Sequence, residues 1–168
     1  VLGAIALKNG LSVMGSEVHG MAQRGGSVIS HFKTGEYASP LVRAGEADLL
    51  LAFDQNEGVR NLHFLRQGGA FVVNVHDRAS FENPKLTAFL NERRISAFSL
   101  EGYRLLKEHM GGNFLFLNVL LMGAMCCAGV GAPSFDETAS AVKTLSPAKF
   151  EDANMKVLAL GYEAIADR

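Results

Sequence analysis

Short apolar runs alternate with segments of helical periodicity along the first two thirds of the chain. Runs rich in branched apolar residues, with polar residues at their boundaries, predict buried strands. The predicted strands are residues 11–14, 27–32, 48–53, 70–75 and 95–100. Apolar residues three or four positions apart predict helices. The predicted helices are residues 1–7, 56–66, 83–93, 102–110, 114–130, 134–145 and 148–166.

This alternation predicts an α/β fold, a three-layer α/β/α sandwich with a mainly parallel sheet and a helical C-terminal third. The chain shows no linker, low-complexity tract or internal repeat, so we predict a single domain over residues 1–168. Its first residues, VLGAIAL, look like the middle of an apolar helix, and such helices usually follow a strand in α/β domains. We therefore expect a strand upstream of Val1.

The apolar run at residues 114–130, FLFLNVLLMGAMCCAGV, tests whether the chain enters a membrane. It carries no charge, and its length is close to the lower limit for a membrane span. However, Asn118 and two glycines interrupt it, and no basic residues flank it. We interpret it as a helix buried in the protein core and predict no membrane association.

Composition narrows the functional class. The chain has 168 residues and a net charge of −1, from 16 Lys and Arg against 17 Asp and Glu, so it lacks the basic excess typical of nucleic-acid binding. Its only cysteines, Cys126 and Cys127, are adjacent, and adjacent cysteines rarely form a disulfide with each other. They also lack the C-x-x-C spacing that is typical of zinc and iron–sulfur sites. We interpret them as buried small apolar residues. With no signal peptide visible, this usage predicts a cytoplasmic protein that holds no metal.

Residues 15–26, GSEVHGMAQRGG, are the stretch densest in reactive side chains. If the preceding strand is parallel to its neighbours, this stretch leaves its carboxyl end, where α/β sheets bind ligands. Glycines allow backbone amides to approach an anion, and Arg24 could bind a phosphate or carboxylate through two parallel hydrogen bonds. The candidate residues are Ser16, Glu17, His19, Gly20, Met21, Gln23, Arg24, Gly25 and Gly26.

A purely structural interpretation stays open. Glu17 and Arg24 could pair across a tight loop, and His19 could cap a backbone carbonyl. Asn118, in the middle of an apolar run, is either a buried amide that ties its helix to a loop or a subunit contact. The other histidines, His31, His63, His76 and His109, have no ligand spacing and are interpreted as structural or exposed.

Residues 15–28, GSEVHGMAQRGGSV (the signature segment), resemble the signature of the gamma-type subunit of 2-oxoacid:ferredoxin oxidoreductases, most of all its indolepyruvate branch. Further similar motifs follow in order along nearly the whole chain. They are Ser39-Pro40-Leu41 with GEADLLLA at 45–52, Gly-Gly at 68–69 with VVN at 72–74, Asn118 with LMGA at 121–124, and Asn154 with ALG at 159–161. The family's opening strand and its G-x-G-G-Q-G turn would precede Val1.

The resemblance implies a subunit of a larger enzyme. Such enzymes oxidatively decarboxylate a 2-oxo acid to an acyl-coenzyme A with ferredoxin as electron acceptor, and the indolepyruvate branch favours aryl pyruvates. Thiamine diphosphate, Mg²⁺ and iron–sulfur clusters are expected on partner subunits, and coenzyme A is possible at the interface. This chain is expected to bind none of these cofactors alone and to supply no catalytic residue.

The signature segment is then expected to face the partner or a ligand, with Arg24 as an anion contact, Met21 as interface or core filler, and Ser39, Pro40 and Asn118 as secondary candidates. An orphan subunit is also expected to self-associate when isolated. The alternative hypothesis is a free-standing α/β module that binds a nucleotide or coenzyme A.

Overall fold

The computed structural model describes residues 1–19 and 26–166 and contains two β structures. Strands β1 (Val13–His19) and β2 (Val28–Thr34) pair antiparallel as a hairpin. Strands β3 (Ala47–Ala52), β4 (Leu65–Asn74) and β5 (Ser96–Leu100) form a parallel sheet in that order. The predicted parallel strands 48–53, 70–75 and 95–100 are therefore confirmed, with β4 longer than expected.

Helices connect and cover these strands. They are α1 (Leu2–Lys8), α2 (Gln55–Arg60), α3 (Arg78–Phe81), α4 (Pro84–Glu92), α5 (Gly102–Met110), α6 (Leu117–Met125), α7 (Phe135–Leu145) and α8 (Glu151–Ala166). Short 3₁₀ turns precede β4, α6 and α8, at Leu62–Phe64, Phe114–Phe116 and Ala148–Phe150.

The central strand β4 separates two apolar cores. Its residues 70–74 are all buried, and successive side chains point to opposite faces. Ala70 and Val72 pack with residues of α5, α6, α7 and α8, while Phe71 and Val73 pack with Leu90 of α4 and neighbouring residues. Helices thus cover both faces of the parallel sheet, which confirms the α/β fold class.

Two predicted helices are too long. The predicted helix 56–66 ends at Arg60, and Leu65 already belongs to β4. Gly68 and Gly69 lie within that strand, and Gly68 has a φ of +74° that favours glycine. The local apolar spacing predicted a helix, but pairing of Leu65 with Ala47 in β3 makes the segment a strand.

The apolar run 114–130 forms one 3₁₀ turn and the nine-residue helix α6, not one long helix. Val119, Leu120 and Leu121 are buried in the core, as predicted. Among residues 1–19 and 26–166, every helix is too short or too polar to cross a lipid bilayer.

Helix α7 begins with a capping box that also fixes α1. The Ser134 hydroxyl accepts the Glu137 backbone N–H at 3.3 Å, and the Ser134 backbone N–H donates to Glu137 Oε2 at 3.1 Å. The side-chain amide of Asn9, just after α1, donates to Glu137 Oε1 at 2.8 Å. These hydrogen bonds lower the pKa of Glu137 to about 2; the one from Asn9 has the largest effect, and those from Ser134 follow.

We expect the Glu137→Gln substitution to destabilise the fold at neutral pH and to do so less in acid. The pKa of Glu137 is lower in the folded state, so its stabilisation is complete above the unfolded value of 4.5 and is lost as pH falls towards about 2. Urea unfolding at about pH 6 and about pH 3 measures the difference between wild type and variant. Glu92→Gln, at the exposed end of α4, is the control. A difference that stays constant between the two pH values would contradict this assignment.

Candidate functional site

The first part of the signature segment forms a strand, where the sequence predicted a loop from Gly15 onwards. Gly15, Glu17 and His19 point to one face of β1, and Ser16 points to the other. Strand β1 pairs antiparallel with β2, so it does not meet the condition of parallel pairing on which the predicted ligand edge depended. Pairing with β2 outweighs the low strand propensity of Gly, Ser and Glu.

The face of β1 that carries Glu17 and His19 is open to solvent. His19 Nε2 lies 3.3 Å from Glu17 Oε2, and both side chains are more than half exposed. Across the hairpin, Glu17 lies opposite Ser30 and His19 opposite Val28, which is itself 57% exposed. Polar and apolar side chains on this surface are thus free to contact another molecule.

The rest of the signature segment falls partly outside the described residues. The predictions for Gly20, Met21, Gln23, Arg24 and Gly25, including the Glu17–Arg24 pair, therefore stay predictions.

Gly26, the last of the candidate residues, is exposed. The next residue, Ser27, donates its hydroxyl hydrogen bond to Glu57 of α2 at 2.5 Å. Sequence reasoning did not single out Glu57, because nothing local marks it as a neighbour of the signature segment.

The loop that carries Ser39 and Pro40 is hydrogen-bonded to strand β2 through His31. The Ser39 hydroxyl accepts the Leu41 N–H at 3.3 Å, which forms a tight turn around Pro40. The next amide, of Val42, donates to His31 Nδ1 at 3.1 Å. His31 is only 8% exposed, and its ring lies edge-on to Phe64 with centroids 5.4 Å apart. His31 is therefore structural, as predicted, while His63, His76 and His109 are exposed.

Asn118 is not a buried amide, and that interpretation is wrong. It is exposed in the first turn of α6, where its Oδ1 accepts the N–H of Val119 at 2.8 Å. The apolar side chains around it turn inward, and the helical turn directs Asn118 outward. The subunit-contact alternative for Asn118 remains a prediction.

The carboxyl edge of the parallel sheet is closed by the buried side chain of Asn74, at the end of β4. Its Nδ2 donates to the carbonyl of Phe53, which follows β3, at 3.0 Å. Its Oδ1 accepts the backbone N–H of Gly102, at the start of α5, at 2.8 Å. Asn74 therefore links the ends of β3 and β4 to the start of α5, which follows β5, and satisfies two backbone groups at this edge.

Gln55, the first residue of α2, binds backbone groups at the same edge of the sheet. Its side chain is buried, and its Oε1 accepts the backbone N–H groups of His76 and Asp77 at 3.2 and 3.1 Å. The open polar surface of the site is therefore on the hairpin, and the polar groups at this part of the sheet edge bind one another.

The two cysteines are half-buried, less than the sequence analysis predicted, and both thiols bind main-chain carbonyls. Cys126 Sγ donates to the Met122 carbonyl at 3.2 Å, and Cys127 Sγ to the Tyr162 carbonyl at 3.6 Å. Burial raises the pKa of both thiols, which disfavours the thiolate that a metal requires. Within residues 1–19 and 26–166, no group of three or more His, Cys, Asp or Glu side chains could hold a metal ion.

Comparison with protein families gives a match over residues 1–164 to the model described as pyruvate ferredoxin/flavodoxin oxidoreductase. The match spans both the hairpin and the parallel sheet.

Individual proteins agree with this match. The chain is 30% identical to indolepyruvate oxidoreductase subunit IorB of Methanothermobacter thermautotrophicus, covering 99% of this chain and 89% of that protein. It is 33% identical to the IorB subunit of Thermococcus kodakarensis, covering 98% and 86%. Among solved structures, the gamma subunit of a keto/oxoacid ferredoxin oxidoreductase from Geobacter sulfurreducens superposes with a TM-score of 0.68 at 22% identity, covering 98% and 86%.

Proposed function

Because this chain belongs to the pyruvate ferredoxin/flavodoxin oxidoreductase family, we propose that it is the small subunit of an indolepyruvate:ferredoxin oxidoreductase. That the chain is a subunit of a ferredoxin oxidoreductase rests on its family and its relatives. The preference for an aryl pyruvate rests on one observation, the identity of 30% and 33% to indolepyruvate oxidoreductase subunits over nearly the whole chain.

The proposed reaction is the oxidative decarboxylation of an aryl 2-oxo acid. Carbon dioxide leaves, the remaining acyl group is transferred to the thiol of coenzyme A, and ferredoxin accepts the electrons. Thiamine diphosphate and iron–sulfur clusters supply this chemistry when bound. The two adjacent, half-buried cysteines of this chain, whose thiols bind main-chain carbonyls, do not fit a cluster that needs several thiolates. We therefore assign the clusters, Mg²⁺ and the thiamine cofactor to partner subunits.

The role proposed for this chain is to dock on that partner through the hairpin. The open face of β1 presents Glu17 and His19, and the adjacent Val28 is a large exposed apolar residue. Arg24 is proposed to contact an anion, either a coenzyme A phosphate or a carboxylate of the partner. Because Asn74 and Gln55 occupy the backbone groups at the sheet edge, the hairpin is the better-supported contact surface.

The test is reconstitution of this chain with its thiamine-binding, cluster-bearing partner. We expect a stable complex that reduces ferredoxin with indolepyruvate and coenzyme A. The rate should be at least tenfold lower with pyruvate or 2-oxoglutarate, because a substrate that loses apolar contacts with its binding site is disfavoured by at least this factor. The partner without this chain is the control. Equal rates with aryl and alkyl 2-oxo acids would contradict the substrate assignment. A monomer that binds coenzyme A without any partner would favour the free-standing module instead.

A further inference from the structure

Glu57 joins the signature segment to helix α2. One carboxylate oxygen, Oε2, accepts the hydroxyl of Ser27 at 2.5 Å, and the other, Oε1, forms an ion pair with Arg60 one turn along the helix. Ser27 lies within the signature segment, directly before β2. The Ser27–Glu57 hydrogen bond therefore joins the end of the signature segment to helix α2.

The helix that carries Glu57 is itself held firmly. The Asp54 side chain accepts the Glu57 backbone N–H at 3.0 Å and caps the start of α2. At the next residue, Gly58, an added Cβ would lie 2.7 Å from Ala52 Cβ and 2.9 Å from Phe71 Cζ. Because α2 packs this closely on the parallel sheet, the backbone of Glu57 is held in a fixed position relative to the sheet.

We propose that Glu57 is a positioning residue that holds Ser27 and the start of β2, the last residues of the signature segment, against α2, so that the hairpin is correctly placed for contact with the partner subunit and coenzyme A. Arg60 holds the Glu57 carboxylate in the rotamer that reaches Ser27. His31 fixes β2 at a second point through Val42, so the strand is anchored at its start and in its middle. This inference rests on the proposed function, because it assumes that the signature segment serves the assembled enzyme.

The experiment compares Ser27→Ala, Glu57→Ala and the double variant in the reconstituted complex. If Glu57 acts through Ser27, each variant raises the KM for coenzyme A or the Kd for the partner by about three- to tenfold. This size is typical of one charge-assisted hydrogen bond. The double variant then equals either single variant, because both remove the same contact. We expect kcat to change less than KM.

Glu101→Ala is the matched control. The Glu101 carboxylate is also about one third exposed, and it also pairs with arginines, at 3.2 Å from Arg104 and 3.8 Å from Arg78. It forms no hydrogen bond or ion pair with residues 15–19 or 26–28 of the signature segment. Glu101→Ala should leave the KM and the Kd unchanged. Hydrogen–deuterium exchange of the complex supplies a readout that is independent of turnover. The Ser27 and Glu57 variants should speed exchange at residues 26–30, and Glu101→Ala should not.

Three results would overturn the inference. They are additive effects of the two single variants, an effect of Glu101→Ala as large as that of Glu57→Ala, or unchanged exchange at residues 26–30. If the wild-type complex oxidises no 2-oxo acid, the proposed function fails. The partner Kd and the exchange rates then still decide whether Glu57 positions the segment.

Discussion

Replacing Gly123 or Gly161 by alanine is expected to cost about 3 kcal/mol or more of folding free energy, because α6 and α8 touch backbone to backbone at these residues. A Cβ added to Gly123 would lie 2.0 Å from the Leu158 carbonyl oxygen, and one added to Gly161 would lie 1.9 Å from the Leu120 carbonyl oxygen. Both distances are far inside van der Waals contact. The helices would have to separate, which would open the core on one face of the sheet. Urea unfolding measures the loss.

Gly3→Ala is the matched control for this prediction. Gly3 is also helical, but a Cβ there would lie 4.0 Å from its nearest neighbours in Val13 and Phe32. Alanine favours a helix over glycine, so we expect this variant to be neutral or more stable by up to about 1 kcal/mol. The double Gly123→Ala, Gly161→Ala variant should cost less than the sum of the single ones, since one separation of the helices relieves both clashes. A Gly123→Ala variant within about 0.5 kcal/mol of wild type would disprove the close contact.

These glycines also give a physical meaning to part of the family resemblance. Gly123 lies in the LMGA motif and Gly161 in the ALG motif, which sequence analysis used only as marks of similarity. The structure shows that the two motifs face each other in one helix–helix contact. They therefore serve folding, and the family match over residues 1–164 includes both motifs.

The sequence predicted the elements whose signals are local. The apolar, β-branched run at 70–75 predicted the central strand, and the apolar spacing over 134–145 predicted α7. It failed where pairing with a distant segment decides the structure. Strand β1 continues through Gly15 and Glu17 because β2 pairs with it, and β4 begins at Leu65 because β3 lies beside it.

The same distinction between local signals and distant contacts applies to the residues of the candidate site. The resemblance identified the signature segment, and Glu17 and His19 do lie on an open surface of the hairpin. The residues that hold this surface or close the sheet edge were missed, because each acts on a segment distant along the chain. Glu57 reaches Ser27, 30 residues away, and Asn74 reaches Gly102, 28 residues away. Only Asn74 carried a local signal in the sequence, because it is a polar amide within the apolar run at 70–75.

Substitution of Asn74 is the second change for which we expect a large loss of folding stability. Asn74→Ala leaves the Phe53 carbonyl and the Gly102 N–H without their partner in a fully buried position, and it leaves a cavity. Each unsatisfied group costs about 1–3 kcal/mol, so we expect a loss of about 3 kcal/mol in the free energy of unfolding, measured by urea titration. The ends of β3, β4 and α5 should then exchange their amide hydrogens faster.

Asn74→Asp separates the lost hydrogen bonds from the lost volume. Its carboxyl keeps an acceptor for the Gly102 N–H, but it can donate to the Phe53 carbonyl only when protonated. Burial and that carbonyl both favour the protonated form in the folded state, so the pKa of the new carboxyl is expected to rise above its unfolded value. The stability of Asn74→Asp, relative to wild type, should therefore decrease as pH rises from about 4 to about 7. Asn91→Ala, on an exposed turn of α4, should change stability by less than about 0.5 kcal/mol at either pH. An Asn74→Asp variant with no pH dependence would mean that Asn74 does not donate to Phe53.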